Sequence, residues 1–175
     1  MTTATRYPHI AEQLWPLVVP HDSLTTHPRN PRQGDVGAIS ESLRVFGQQK
    51  PVVAQRKEGE PHVLVAGNHL WLAARELGWT DIAAVIVPMD DTTAIRYMLA
   101  DNRTSQLGSF ESHQLAELLA ELAVGNLLEA TGYDGDDVDT LLRRIAAPEA
   151  FADVTAPDVD YKCPSCGYGW TGDPK

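Results

Sequence analysis

Apolar positions along the chain repeat with two different periods, and the places where the period changes mark the elements. From Asp35 onward, Val36, Ile39, Leu43 and Phe46 recur at helical spacing. Asp35 stands where a helix start wants a side-chain oxygen, and Gly47 where its end wants a left-handed residue. PVVAQRK (51–57) and HVLVAG (62–67) are apolar runs separated by EGEP, the pattern of a strand pair. GNHLWLAARELG follows, with Leu70, Ala74 and Leu77 on one helical face and Gly78 as the stop. DIAAVIVP reads as a further buried strand. DDTTAIRYMLADNRT reads as a helix that opens on acids at its positive end and closes on Asp101-Asn102-Arg103.

Upstream, LVV is a short strand leading into a proline-rich turn, HPRNPR (27–32), whose two prolines hold Arg29, Asn30 and Arg32 extended. Downstream, Leu115, Leu118, Leu119 and Leu122 form the stripe of another helix, a core or dimer face. The turn 132–135 precedes a last helix, DDVDTLLRRIA. Residues 147–160, rich in Ala, Pro and Asp without periodicity, read as a linker, and YKCPSCGYGWTGDPK as a small separate unit.

The 175 residues suffice for one cored domain with appendages. No apolar run approaches the roughly 20 residues that span a bilayer, and the first residues lack a basic-then-apolar pattern, so the expected location is the cytoplasm, away from membranes. The net charge of −10 is uneven. Residues 1–110 hold 11 acids and 10 bases, whereas 111–175 hold 13 acids and 4 bases. A basic concentration survives at Arg29, Arg32, Lys50, Arg56 and Lys57, so DNA affinity is expected to be weak and salt-sensitive.

The Gly67-Asn68-His69 cluster sits between strand and helix. Glycine permits close backbone approach, and the N–H groups and dipole of a helix start attract an anion. Asn68 and His69 can each offer a hydrogen bond without a permanent charge. Plainer readings stay open: a strand-to-helix turn with Asn68 as N-cap, a solvated turn at 101–103, and a surface loop at 29–32. Trp71 and Trp79 read as packing residues.

HPRNPR (27–32), FGQQKPVVA (46–54), VAGNHLWLAA (65–74) and ADNRT (100–104), in this order and spacing, resemble the N-terminal domain of the ParB family, in the superfamily shared with sulfiredoxin. The resemblance covers residues 17 to about 105. It implies an α/β (α+β) fold, a ParB/sulfiredoxin-like mixed sheet with helices, over 17–106. A helical extension (107–147), a linker (148–160) and a cysteine knuckle (161–175) would follow. The wider pattern, including DNRTSQLGSFE and GYDGDDVDTLL, resembles most the small ParB-like nuclease domain proteins of actinobacteria and their phages.

In the family the glycine-led box is usually Gly-Glu-Arg-Arg and holds the phosphates of a nucleotide; here it reads Gly67-Asn68-His69-Leu70. Losing two arginines removes the charge-assisted bidentate grip on a triphosphate. In sulfiredoxin the turn carries Gly-Cys-His-Arg, and Asn68 in place of the nucleophilic cysteine excludes sulfinic-acid reduction by that chemistry. By the same resemblance Asp101 and Asn102 face Mg²⁺ and the phosphates, Arg103 adds charge, and Arg29, Asn30 and Arg32 border the cleft. Gln48, Gln49 and Lys50 approach the base and phosphates.

The implied role is a nucleotide- or nucleic-acid-associated module in phage or bacterial DNA metabolism. Turnover is left open: if there is any, it is phosphate chemistry, as hydrolase, phosphotransferase or nuclease, with Asp101 and Asn102 on Mg²⁺ and His69 at the phosphates. The rival is a non-catalytic DNA-adaptor or protein-interaction module on the same fold.

Cys163 and Cys166 have the spacing of half a zinc knuckle. The missing ligands would come from a second copy, a protein partner or histidines. An unmetallated tail and thiol redox chemistry are the other readings of this pair.

Overall fold

The structure, a computed structural model, describes residues 6–59, 61–145 and 159–172. The chain divides into two compact units, Met1–Arg144 and Ile145–Lys175. The expected linker lies almost wholly outside the described residues. No helix among those described is long and apolar enough to cross a membrane.

The first unit is built on a five-stranded sheet. Its strands are β1 (Val18–Pro20), β2 (Leu24–Thr26), β3 (Val52–Gln55), β4 (His62–Ala66) and β5 (Asp81–Val87), in the order β1-β5-β3-β4-β2. The sheet is mixed, as the sequence implies: β1–β5 and β3–β4 are antiparallel, β3–β5 and β2–β4 parallel. Helices α1 (Val36–Phe46) and α2 (Asn68–Glu76) and helix α3 (Asp91–Leu107) contact opposite sets of strand residues. Leu64 packs with Leu43, Trp71 and Ala74, whereas its neighbour Val65 packs with Ala94 and Met98 of α3. This is the alternation of a pleated strand covered on both faces. Helices α4 (Ser112–Val124) and α5 (Gly135–Ile145) complete the unit.

The local signals act where the pattern puts them. Asp35 accepts the Ala38 N–H at 2.9 Å, Asp90 accepts that of Thr93 at 2.7 Å, and Asp134 and Asp137 cap α5 reciprocally. Gly47 has φ +66° and Gly78 φ +76°.

Four expectations need correction. Helix α3 does not close at Asp101-Asn102-Arg103 but runs on to Leu107, because nothing in 101–107 breaks a helix before Gly108. Asn68 is not the N-cap of α2; Gly67 is, in the left-handed conformation. Phe46, expected on the apolar face of α1, is 51% exposed. Gln48, expected beside a ligand, is fully buried.

Gln48 has a structural reason to turn inward. The β3–β5 ladder begins at Val52 and Ala84, leaving Ala83 beyond its end. The Gln48 side chain takes its place, donating Nε2–H to the Ala83 carbonyl at 2.8 Å while Oε1 accepts the Ala83 N–H at 2.7 Å. A buried amide is tolerated when its groups are paired in this way. Replacement of Gln48 by Leu is expected to cost about 2–4 kcal/mol, because both main-chain groups of Ala83 lose their partner in the interior. Urea unfolding measures it, and a loss below ~0.5 kcal/mol, typical of a surface site, would contradict this assignment.

Candidate functional site

The turn at Gly67 organises the site. With φ +82°, and with a Cβ placed 2.6 Å from Val52 Cγ1, position 67 admits only glycine without strain. The chain thereby passes from β4 into α2 with no side-chain cap, and the positive end of the α2 dipole opens on a cleft.

That cleft has a volume of about 760 Å³. The turn 66–70 forms its floor; Ala38, Ile39, Ser42 and Phe46 of α1 form one wall, and Asp101, Asn102 and Ser105 of α3 another. Asn30, Arg32 and Gly34 overhang it from the proline-rich segment, with Gln49 and Lys50 beside them. Ala130, Thr131 and Gly132, between α4 and α5, supply a further edge. The cleft's permanent charges balance: Arg32 and Lys50 against Asp35 and Asp101.

Of the residues singled out from sequence, Gly67, Asn68, His69, Arg32, Gln49, Asp101 and Asn102 therefore meet in one cleft. Arg29 and Arg103 are exposed and do not line it. For Arg103 the cause is helical geometry: 101, 102 and 105 share a face, and the next 100° turn carries 103 away from it. Arg29 sits in a tight turn where its own N–H donates to His27 Nδ1 at 3.1 Å.

Asn68 and His69 reach the cleft but are engaged with the protein. Asn68, buried at 6% exposure, accepts the His27 N–H through Oδ1 at 3.2 Å. His69 Nε2 accepts the Gly34 N–H at 2.9 Å, so the proton of the neutral ring lies on Nδ1. Asn30 Oδ1 accepts from both the Arg32 N–H and Asn102 Nδ2, each at 3.2 Å. The Asn102 Oδ1 and the half-buried Asp101 carboxylate remain as oxygen donors on the cleft wall, a pair suited to a hard cation that keeps waters and leans on phosphates. Gln49 Nε2 donates to the Phe46 carbonyl.

Sequence reasoning missed the edge at 130–132 and the residue that ties it down. Glu41 Oε1 accepts the Ala130 N–H at 3.1 Å across 89 positions. The positive φ of Ala130 (64°) and Gly132 (82°) marks a tight turn, of which only the Gly-Tyr-Asp-Gly run was a sequence signal.

In the second unit, strands β6 (Tyr161–Lys162) and β7 (Gly169–Trp170) pair antiparallel and carry Cys163 and Cys166 in their connection. Cys163 donates its N–H to the Tyr168 carbonyl at 2.8 Å, and the Gly167 N–H returns to the Cys163 carbonyl at 2.9 Å. The N–H groups of Cys166 and then Ser165 hold the Cys163 thiol below its ordinary range. Trp170 stacks with Tyr161 and Tyr168, centroids 5.7 and 6.4 Å apart. Among the described residues no three His, Cys, Asp or Glu side chains gather into a metal-binding group.

The family description "ParB N-terminal domain" matches residues 12–103, which span the proline-rich segment, the Gly67 turn and Asp101–Arg103. The chain belongs to this family. It is 29% identical over 115 residues to a probable chromosome-partitioning protein ParB of Neisseria meningitidis, covering 63% of this chain and 40% of that protein. A Coxiella burnetii protein of the same description is 33% identical over 119 residues, covering 64% and 41%. The chain thus spans about two fifths of the length of these relatives. Among solved structures, a C-terminally truncated ParB from Caulobacter crescentus, complexed with CTP-gamma-S, superposes with a TM-score of 0.62 at 20% identity. The superposition covers 75% of this chain and 79% of that one, and supports the ParB-type fold. The family match ends at Arg103, so the edge at 130–132 lies outside the residues it spans.

His27, at the root of the overhanging segment, has its pKa lowered by burial first and then by Arg29 and Lys57, with Asp91 opposing. A depressed folded-state pKa means that the unfolded chain takes the proton more readily. Stability from His27 is therefore full above the ordinary imidazole value of about 6.5 and declines as pH falls through it toward the folded-state value. Unfolding midpoints from pH 7.5 to 5 should fall less steeply for His27→Gln than for the wild type; equal slopes would exclude the effect.

Proposed function

We propose that the first unit is a nucleotide-binding, DNA-associated ParB-like module, with the nucleotide in the cleft at Gly67. The observation that carries this is the convergence of an uncapped helix start, Arg32, Lys50 and the Asp101–Asn102 oxygens on one cavity of about 760 Å³. In this reading the phosphates lie at the start of α2 near Arg32, and the base lies toward Gln49 and the α1 wall. The ligand of the Caulobacter protein makes a cytidine triphosphate the first to test.

The balanced charge of the cleft adds a requirement. A triphosphate facing Arg32 and Lys50 but also Asp35 and Asp101 needs a divalent cation to offset the two carboxylates. Asp101 and Asn102 are the residues that would hold Mg²⁺, which would supply charge neutralisation for the phosphates. Titration calorimetry of the whole chain is expected to give heat with CTP only when Mg²⁺ is present, and Asp101→Asn to weaken binding by about tenfold, ~1.4 kcal/mol. No heat with CTP, ATP, GTP or UTP plus Mg²⁺ at millimolar concentration would overturn the reading.

The module sits in bacterial or phage DNA metabolism, akin to small ParB-like domain proteins, and any turnover is phosphate chemistry in this cleft. DNA is met weakly. Lys57 is paired with Asp91, leaving four of the five clustered basic residues for phosphates. A gel-shift titration should therefore show a shallow decline of affinity with salt, and a tight salt-insensitive complex would contradict it.

The second unit adds a metal-binding appendage in which Cys163 and Cys166 would hold Zn²⁺. The supporting observation is the hairpin connection that aims N–H groups at the Cys163 sulfur. A structural zinc site takes four ligands, so the remaining two come from a second copy or a partner. Half an equivalent of zinc per chain in a dimer, lost in Cys163→Ser, is the expected metal analysis.

A further inference from the structure

Asn68 and His69 occupy the first turn of α2, where an anion would be met, yet their acceptor atoms face the protein. Asn68 Oδ1 takes the N–H of His27, and His69 Nε2 takes the N–H of Gly34. These two amides bracket the proline-rich segment. Midway between them, Asn30 joins Asn102 of α3 to the Arg32 N–H. The segment is thus pinned at each end by consecutive residues of α2 and in the middle by α3.

The His69 ring has little freedom to do otherwise. A Cβ on Gly34 would lie 2.9 Å from both Cγ and Nδ1 of the ring, so the imidazole rests directly on the Gly34 backbone. Between the pins, Arg32 is the one basic side chain that lines the cleft. Left free, its segment would have to be ordered when a ligand bound, a cost in conformational entropy that weakens affinity.

We propose that Asn68 and His69 are positioning residues, which latch segment 27–34 so that Arg32 is presented to an anion, instead of contacting the anion themselves. The proposal rests on the reading of the cleft as a nucleotide site. It deepens that reading by moving recognition from the residues of the helix start to Arg32 and the main-chain N–H groups.

The test uses the full chain with CTP and Mg²⁺ as the calorimetric probe, and amide exchange at Gly34, followed by NMR without ligand, as the latch reading. His69→Ala is expected to speed Gly34 exchange and weaken binding about tenfold. His69→Gln, whose amide oxygen can accept the same N–H, should restore both. Gly34→Ala, which pushes a methyl into the ring, should bind as weakly as His69→Ala. In the Arg32→Ala background, His69→Ala should cost little more, since a latch acts only through the residue it presents.

Additive losses in the double variant, with Gly34 exchange unchanged by His69→Ala, would overturn the proposal and make His69 a direct ligand. Absence of heat with wild-type chain would instead overturn the nucleotide reading. Gly34 exchange separates the two failures because it needs no ligand.

Discussion

At Gly67 the chain must leave β4, enter α2 and pass Val52 of the neighbouring strand at a distance no side chain tolerates, with φ at +82°. Much else in the first unit is arranged around that passage. Because the turn is made by main chain alone, α2 starts without a side-chain cap and its dipole faces the cleft. Because Asn68 and His69 are not needed as caps, their side chains are available to bind segment 27–34. Trp71, one turn on, stacks on His21 with centroids 4.5 Å apart and donates its indole N–H to the His21 carbonyl, which fixes the β1–β2 connection to the same helix. One glycine thus sets the position of α2, and α2 sets the position of two loops.

Where physics is local, the sequence was readable. Periodicity marked α1, α2 and α4, the apolar runs marked β3, β4 and β5, and Asp35, Gly47 and Gly78 act as the caps and stops that their residue types imply. The mixed sheet and the ParB-type fold were implied by the family resemblance that four motifs carry. The end of α3 was misread for an equally local reason: Asp, Asn and Arg in succession look like a solvated terminus, but a polar face on a continuing helix has the same composition.

Interactions between positions far apart were not readable. His69 meets Gly34 across 35 positions, Gln48 meets Ala83 across 35, Asn102 meets Asn30 across 72, and Glu41 meets Ala130 across 89. In each pair at least one partner is a main-chain group or a small polar side chain with no pattern of its own. Only the packing of helices and connections on the sheet brings them together. Gln48 illustrates the cost of missing this: next to Gln49 and Lys50 it looked like a third polar residue on a ligand loop, whereas the unpaired main chain of Ala83 required it inside.

A nucleotide held in this cleft would be bound without the arginines usual at the family's turn. A charged turn attracts phosphate by field strength and tolerates a loosely held loop opposite, because attraction between opposite charges acts over distance. A turn reading Asn68-His69-Leu70 lacks that field; what remains is the helix dipole, Arg32 and Lys50, offset by Asp35 and Asp101. Hydrogen bonds weaken steeply with misplacement, so the N–H groups of the helix start and of the Arg32 guanidinium grip best from fixed positions. The three pins on segment 27–34 provide that fixity, through His27, Asn30 and Gly34. On that reading, order in the segment offsets the missing charge at the helix start, and His69 bears on both: it stands where the family's turn usually has an arginine, and it holds Gly34.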